Sequence, residues 1–275
     1  MRGPVSKIAD KRWKTKHVHW LSRGIVVLVL VLGLGTFFWT PEGSVQWGAD
    51  IVFRTWIMFL GTVMAHECTH GQLAKSKQGN AVWGRLALIP VTVPYVNFRK
   101  THLMHHAHTN HPENDPDYFV KANHWWEMPF RAVGVPHNWI VWLLKRDMVK
   151  RSDVVEWVMT YVFIFSLYLA IGSEAGIART AWGLFPSLVL VSIFLWYPFA
   201  SMTHEGYSLG EAQYRSHNYY GSVVFWATLG LSMHRIHHMK PYLSWIEQRQ
   251  FVEPDPAGFW VFKPRRDRRI EPQTS

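Results

Sequence analysis

The 275-residue chain has one cysteine, Cys68, so no disulfide can close within it and a thiolate-only metal site is excluded. Charge is also scarce. Asp, Glu, Lys and Arg together make up 17% of the residues, against about 25% in a soluble domain. The deficit is larger for one sign: 19 acidic residues face 29 basic ones, for a formal charge of +10. The basic residues form no compact motif, so a nucleic-acid partner is not expected. There are no internal repeats to suggest a solenoid or array.

In place of charge there are apolar blocks. Hydrophobic residues make up 48% of the chain, and Trp alone occurs 16 times. A polar, basic segment at 1–23 runs into an apolar stretch from Gly24 to Trp39. No small-residue cleavage pattern follows it, which favours an uncleaved first membrane helix over a signal peptide. Further apolar stretches cover Ala49 to Ala65 (with a charge at Arg54), Val154 to Gly172 and Gly183 to Ser201. Each approaches the roughly 20 residues that span a bilayer. Leu86 to Phe98 contains Pro90 and Pro94 and reads as re-entrant or interfacial, and Tyr219 to Met233 as an interfacial or buried helix. The expected architecture is all-α and integral to the membrane, with about four transmembrane helices and a cytoplasmic helical cap holding a di-metal site. It divides into a basic N-terminus (1–23), a membrane domain (24–250) and a basic tail (251–275).

Loop charge sets the expected orientation. Residues 40–48 contain no Lys or Arg, and 173–182 contain only Arg179, whereas 66–153 and the tail are rich in both. The positive-inside rule then puts both termini and the long middle segment in the cytoplasm, as in a multi-pass protein of a bacterial inner membrane.

Histidine is the outlier, with 16 copies, most of them clustered. His66-Glu67-Cys68-Thr69-His70 ends the second apolar stretch. On a helix, positions i and i+4 lie about 40° apart, so both imidazoles reach one region. His102-Leu103-Met104-His105-His106 and His234-Arg235-Ile236-His237-His238 share the pattern i, i+3, i+4. Positions i+3 and i+4 fall on opposite sides of i, so one turn can feed two neighbouring metals. Eight clustered imidazoles exceed what one tetrahedral zinc uses. They suit two metals of higher coordination with room for O2, and iron is the natural choice because zinc has no redox chemistry. Glu67, Asp115 and Asp117 are placed to steady ligand imidazoles by hydrogen bonds, although Asp115-Pro116-Asp117 also reads as a plain turn.

The three motifs HECTH, HLMHH and HRIHH, in this order and with this membrane layout, resemble the membrane fatty-acid desaturase and hydroxylase superfamily over roughly residues 20–250. The stretch HLMHHAHTNHPENDPDYF is similar to its carotenoid-ring hydroxylase branch, while MTHEGYSLGEAQYRSHNYYGS after the last span looks more like acyl desaturases. The resemblance implies two irons at the cytoplasmic side, a ninth histidine ligand at His204, O2 as co-substrate and a lipid C–H bond as target. His217 is the nearest competitor to His204 and reads as structural. Fatty-acyl desaturation leads, with hydroxylation of an acyl chain or carotenoid ring as the alternative. No fused cytochrome b5-like His-Pro-Gly-Gly motif is present, since His111-Pro112 continues with Glu113. The expected electron donor is therefore a separate ferredoxin or cytochrome b5-type protein.

Two rivals remain. HECTH is also the HExxH pattern of a zinc protease, but that leaves both HxxHH motifs unexplained. A metal transporter would place ligands near the bilayer midplane, whereas every cluster lies at or beyond a span end.

Overall fold

The computed structural model describes residues 14–207, 216–219 and 221–251. The basic tail, most of the N-terminal segment and part of the stretch after His204 lie outside them. Within these residues the chain is helical, with no strand. Four helical segments are long and apolar enough to cross a membrane: His19–Phe38, Gly43–Thr69, Arg151–Ala175 and Ile177–His204.

Helices α1 (Lys14–Gly35) and α2 (Gly43–Thr69) form the first pair, and α6 (Arg151–Ala175) and α7 (Ile177–Val191) the second. The most apolar part of α2 is 61% buried and that of α6 only 17%. So α2 is the central helix and α6 is an outer one whose apolar side chains face outwards. Arg54, the charge seen in the α2 stretch, is not alone: its Nε donates to Asp50 one turn earlier at 2.7 Å, and its guanidinium lies 3.7 Å over Phe37. A buried charge is tolerable only when paired in this way.

Between the pairs, α3 (Lys77–Leu88) and α4 (Tyr95–His108) form a helical hairpin. Its tip carries the two prolines. Pro94 opens α4 as its N-cap, in extended backbone that suits the ring. The tip reaches the middle of the bundle: Tyr168 of α6 donates to the Pro90 carbonyl at 3.4 Å, and a Cβ on Gly33 of α1 would lie 3.1 Å from Pro90. The hairpin closes tightly, because a Cβ at Gly84 would sit 2.2 Å from the Tyr95 ring. The broken apolar stretch is thus the end of one helix, a turn and the start of the next.

Helix α5 (Met128–Lys145), with Pro136 inside it, was not evident from the sequence. It buries Ala132, Val135, Trp139 and Leu143 on one face, at helical spacing. The fourth span also differs from a plain helix. After α7 it passes through one π-helical turn (Ser192–Trp196), α8 (Tyr197–Ala200) and a 3-10 turn, Met202–His204. Tyr219 to Met233 is not one helix. Among its described residues it holds only the six-residue α9 (Ser222–Ala227), then turns with positive φ at Leu229 and Gly230 before α10 (His234–Met239).

Side-chain contacts bring the relevant helix ends together. Arg23 of α1 donates to the Leu73 carbonyl just after α2 at 2.7 Å, and Lys100 of α4 pairs with Asp153 at the start of α6. Ser22 of α1 accepts from the Trp245 indole at 3.0 Å. The HECTH end of α2, both HxxHH helices and His204 share this end of the bundle.

Candidate metal centre

The end of α2 is fixed by its backbone. Gly71 takes φ +81°, its N–H donates to the Cys68 carbonyl at 3.1 Å, and the Gln72 N–H donates to the Glu67 carbonyl at 3.0 Å. This paired closure, with glycine just past the cap, is the Schellman arrangement. It holds His66 in the last turn and His70 at the cap.

The nine histidines singled out above converge into two groups. One contains His66, His70, His102, His106 and His237, the other His105, His204, His234 and His238, and in each group the nearest ring nitrogens lie within 4.8 Å of one another. In the first group the Nε2 atoms form a chain. His70 to His102 is 2.8 Å, His102 to His106 3.0 Å, His106 to His237 2.9 Å, and His237 to His66 2.9 Å. In the second, His204 to His234 is 3.0 Å and His234 to His238 3.2 Å.

Hydrogen bonding alone does not account for the chain. Each Nε2 carries either one proton or one lone pair, so an inner nitrogen can satisfy one neighbour but not two. A central cation satisfies all of them. Imidazole–metal bonds of about 2.0–2.1 Å, as at zinc, with neighbours at right angles put nitrogens about 3 Å apart. That is the spacing found, so the donor set fits a pair of metal ions. Protonation is also suitable: burial first, and neighbouring imidazoles second, hold His70, His102, His106, His234, His237 and His238 well below 6.5. Neutral rings leave lone pairs for metal.

The carboxylates differ from one another. His105 donates its Nδ1–H to Asp115 at 2.9 Å, leaving Nε2 for the second group. Asp115 is itself held by the backbone N–H groups of Asn110 (2.8 Å) and Asp117 (2.9 Å). It is therefore both the turn-former and the histidine brace, two readings that the sequence left open. Burial opposes its charge, but His105 and these hydrogen bonds hold it below the ordinary value. Asp117 lies 3.7 Å from the same His105 nitrogen and accepts from the Trp139 indole at 2.8 Å. Burial raises it, with His105 opposing and Asp115 adding to the rise. Glu67 reaches elsewhere: one oxygen accepts the Trp245 N–H at 2.8 Å and the other stands 3.6 Å from His66 Nδ1.

Other histidines stay apart. His217 bonds the Glu205 carbonyl at 2.8 Å and the Tyr207 hydroxyl at 3.2 Å, and His111 accepts from the N–H groups of Glu113 and Asn114. Trp139 was missed from the sequence, since nothing local links it to Asp117. Also missed was a cavity of about 100 Å³ against the histidines, walled by Phe59, Phe98, Trp139, Trp196 and Phe199. Trp196, in the π-helical turn, donates to Thr62 across it at 3.1 Å.

Helical structure throughout the described residues, four membrane-length helices and nine histidines, six of them buried and three half-buried, gathered as two adjoining groups able to hold metal define the class. The family model for fatty acid desaturase matches residues 43–253, and the chain belongs to that family. It is 26% identical over 154 residues to an sn-1 acyl-lipid omega-3 desaturase (ferredoxin) of Nostoc sp. (strain 36), covering 50% of this chain and 40% of that protein. It is 32% identical over 82 residues to a protein of the same description from Synechocystis sp., covering 30% of this chain and 20% of the other. It is 31% identical over 81 residues to a chloroplastic omega-3 fatty acid desaturase of Glycine max, covering 30% and 15% respectively. The matched stretches thus span less than half the length of these relatives.

Proposed function

We propose that this protein is an O2-dependent oxidoreductase that introduces a double bond into an acyl chain of a membrane lipid. Nine histidines would hold two irons: His66, His70, His102, His106 and His237 the first, His105, His204, His234 and His238 the second. The observation that carries this reading is the gathering of these nine imidazoles, most of them buried, into two groups at the wall of an apolar cavity. Iron bound there, with O2 and electrons, supplies the oxidising power to break an unactivated C–H bond.

The chain's own residues do the rest. Phe59, Phe98 and Phe199 accept methylenes and exclude water, which positions one C–H bond and suppresses side reactions. Asp115 fixes the His105 ring and its tautomer. One turnover consumes O2, two electrons and two protons, and releases the alkene and two waters. A separate donor provides the electrons, and the ferredoxin in the names of the Nostoc and Synechocystis relatives favours an acidic iron–sulfur carrier. It would dock on the Lys- and Arg-rich face, which the positive-inside rule assigns to the cytoplasm together with both termini and the site.

Lipid mass spectrometry of cells with and without the protein tests this. Desaturation removes two hydrogens from an acyl chain, whereas one added oxygen would indicate hydroxylation. Iron should approach about two per chain, from the donor count. Activity sustained by zinc alone would sink the redox reading. Donor-driven turnover should fall as salt rises, since the Debye length is already about 10 Å at 0.1 M. A rate flat with ionic strength would remove docking on the basic face.

A further inference from the structure

A second, larger cavity of about 440 Å³ lies between α3 and α6, on the outer side of the bundle. Its wall is mostly apolar, with Phe163 and Met159 from α6, and Arg85 and Glu156 paired at 2.6 Å on its polar rim. Two residues, Leu88 and Val93, line both this groove and the cavity beside the histidines. Both are buried, at 1% and 6% exposure, so they form a wall with an apolar space on each side.

That wall is the tip of the α3–α4 hairpin. Ile89 faces the outer groove, Val91 the inner cavity, and Val93 both. Between them Thr92 has φ +62°, a left-handed conformation that is a genuine outlier for a β-branched residue. Strain of this kind persists only where surrounding contacts enforce it. Here α6 grips the tip from both sides, through Tyr168 to the Pro90 carbonyl and through the Val96 N–H to Glu156 at 3.0 Å. α6 is also the outermost span, with Met159 63% and Phe163 52% exposed.

We infer that the α3–α6 groove is a lateral portal for the acyl chain of a bilayer lipid, with Leu88 and Val93 as the gate to the histidine cavity. The occupant follows from continuity with that cavity and from the setting, an apolar groove beside an outward-facing membrane-length helix with charge only at one rim. The ester end of the lipid stays near Arg85 while mid-chain methylenes pass the gate. The inference rests on the acyl-oxidation reading for its purpose but is tested without turnover.

Phosphatidylcholine vesicles carrying a diazirine near the ester, or at mid-chain, are irradiated with iron-loaded full-length protein, and the adducts are mapped by mass spectrometry. The ester-end label should mark Met159 and its neighbours, and the mid-chain label Phe59 and Phe199. Met159→Trp should reduce the inner adducts roughly tenfold by overfilling the groove. Val158→Trp, on the same helix but outside the groove, should leave them unchanged. Both labels reacting only in the groove would mean a boundary lipid and overturn the portal, as would inner adducts undiminished in Met159→Trp. A wild-type protein that oxidises no acyl chain would remove the desaturase reading, while the adduct map would still decide the portal.

Discussion

The two histidine groups use the same local motif and divide it in opposite ways. On α4, His102 and His106 (i and i+4) join the five-histidine group, and His105 (i+3) joins the other. On α10, His234 and His238 join the four-histidine group, and His237 goes to the five. Spacing alone says that such a turn can feed two centres. Which centre each nitrogen feeds depends on how the helix is docked. The groups also differ in support. The five draw on the Schellman-closed end of α2, while the four take His204 from a 3-10 turn beyond a π-helical turn and include His105, which Asp115 holds. With four histidines against five, the smaller group should be the more fragile.

The sharpest challenge to this comparison is His204→Ala. It leaves three imidazoles in the smaller group, so iron should fall towards about one per chain and turnover should vanish while the protein stays in the membrane. Full iron with normal turnover would show that His204 is not a ligand. His70→Ala leaves four donors in the larger group. Iron should then stay near the wild-type level while turnover drops by at least about 100-fold, beyond the range for losing a group that only supports a ligand. Iron loss as severe as in His204→Ala would erase the proposed asymmetry.

Asp115→Asn keeps the shape of the side chain but weakens its grip on His105. Iron affinity at the smaller group, or turnover, should fall roughly 10- to 100-fold, and iron titration should show one weakened site and one unchanged. Equal weakening of both sites would count against the pairing of Asp115 with one group. The smallest effect is expected for Trp139→Phe, which takes one hydrogen bond from Asp117. The loss is about 1 kcal/mol, or roughly fivefold in turnover, with iron content unchanged. A change beyond tenfold would mean that Trp139 does more than orient Asp117.

Much of this site can be read locally. Residues at i, i+3 and i+4 share a helix face whatever surrounds them, so the three boxes are visible in the sequence, and apolar run length points to the four membrane-length helices. The misses involve partners far apart in the chain. Glu67 does stand 3.6 Å from His66 Nδ1, but the hydrogen bond that its other oxygen accepts from the Trp245 N–H is invisible in the sequence. Helix α5 is obscured by Pro129 and Pro136 and shows its face only when Val135 and Trp139 are buried. Tyr219 to Met233 is apolar enough for a helix, but its backbone turns at Leu229 and Gly230 to bring α10 back to the site.

The sequence by itself therefore determined the helical class, the membrane-length runs and the set of clustered histidines. These depend on helical period and hydropathy, which each segment carries within itself. Only the tertiary structure decided the division into five and four, the bracing of His105 by Asp115, and the hairpin tip that separates the two apolar cavities. Those depend on how helices dock, and docking is the sum of many weak contacts between residues distant in sequence, which no local pattern encodes.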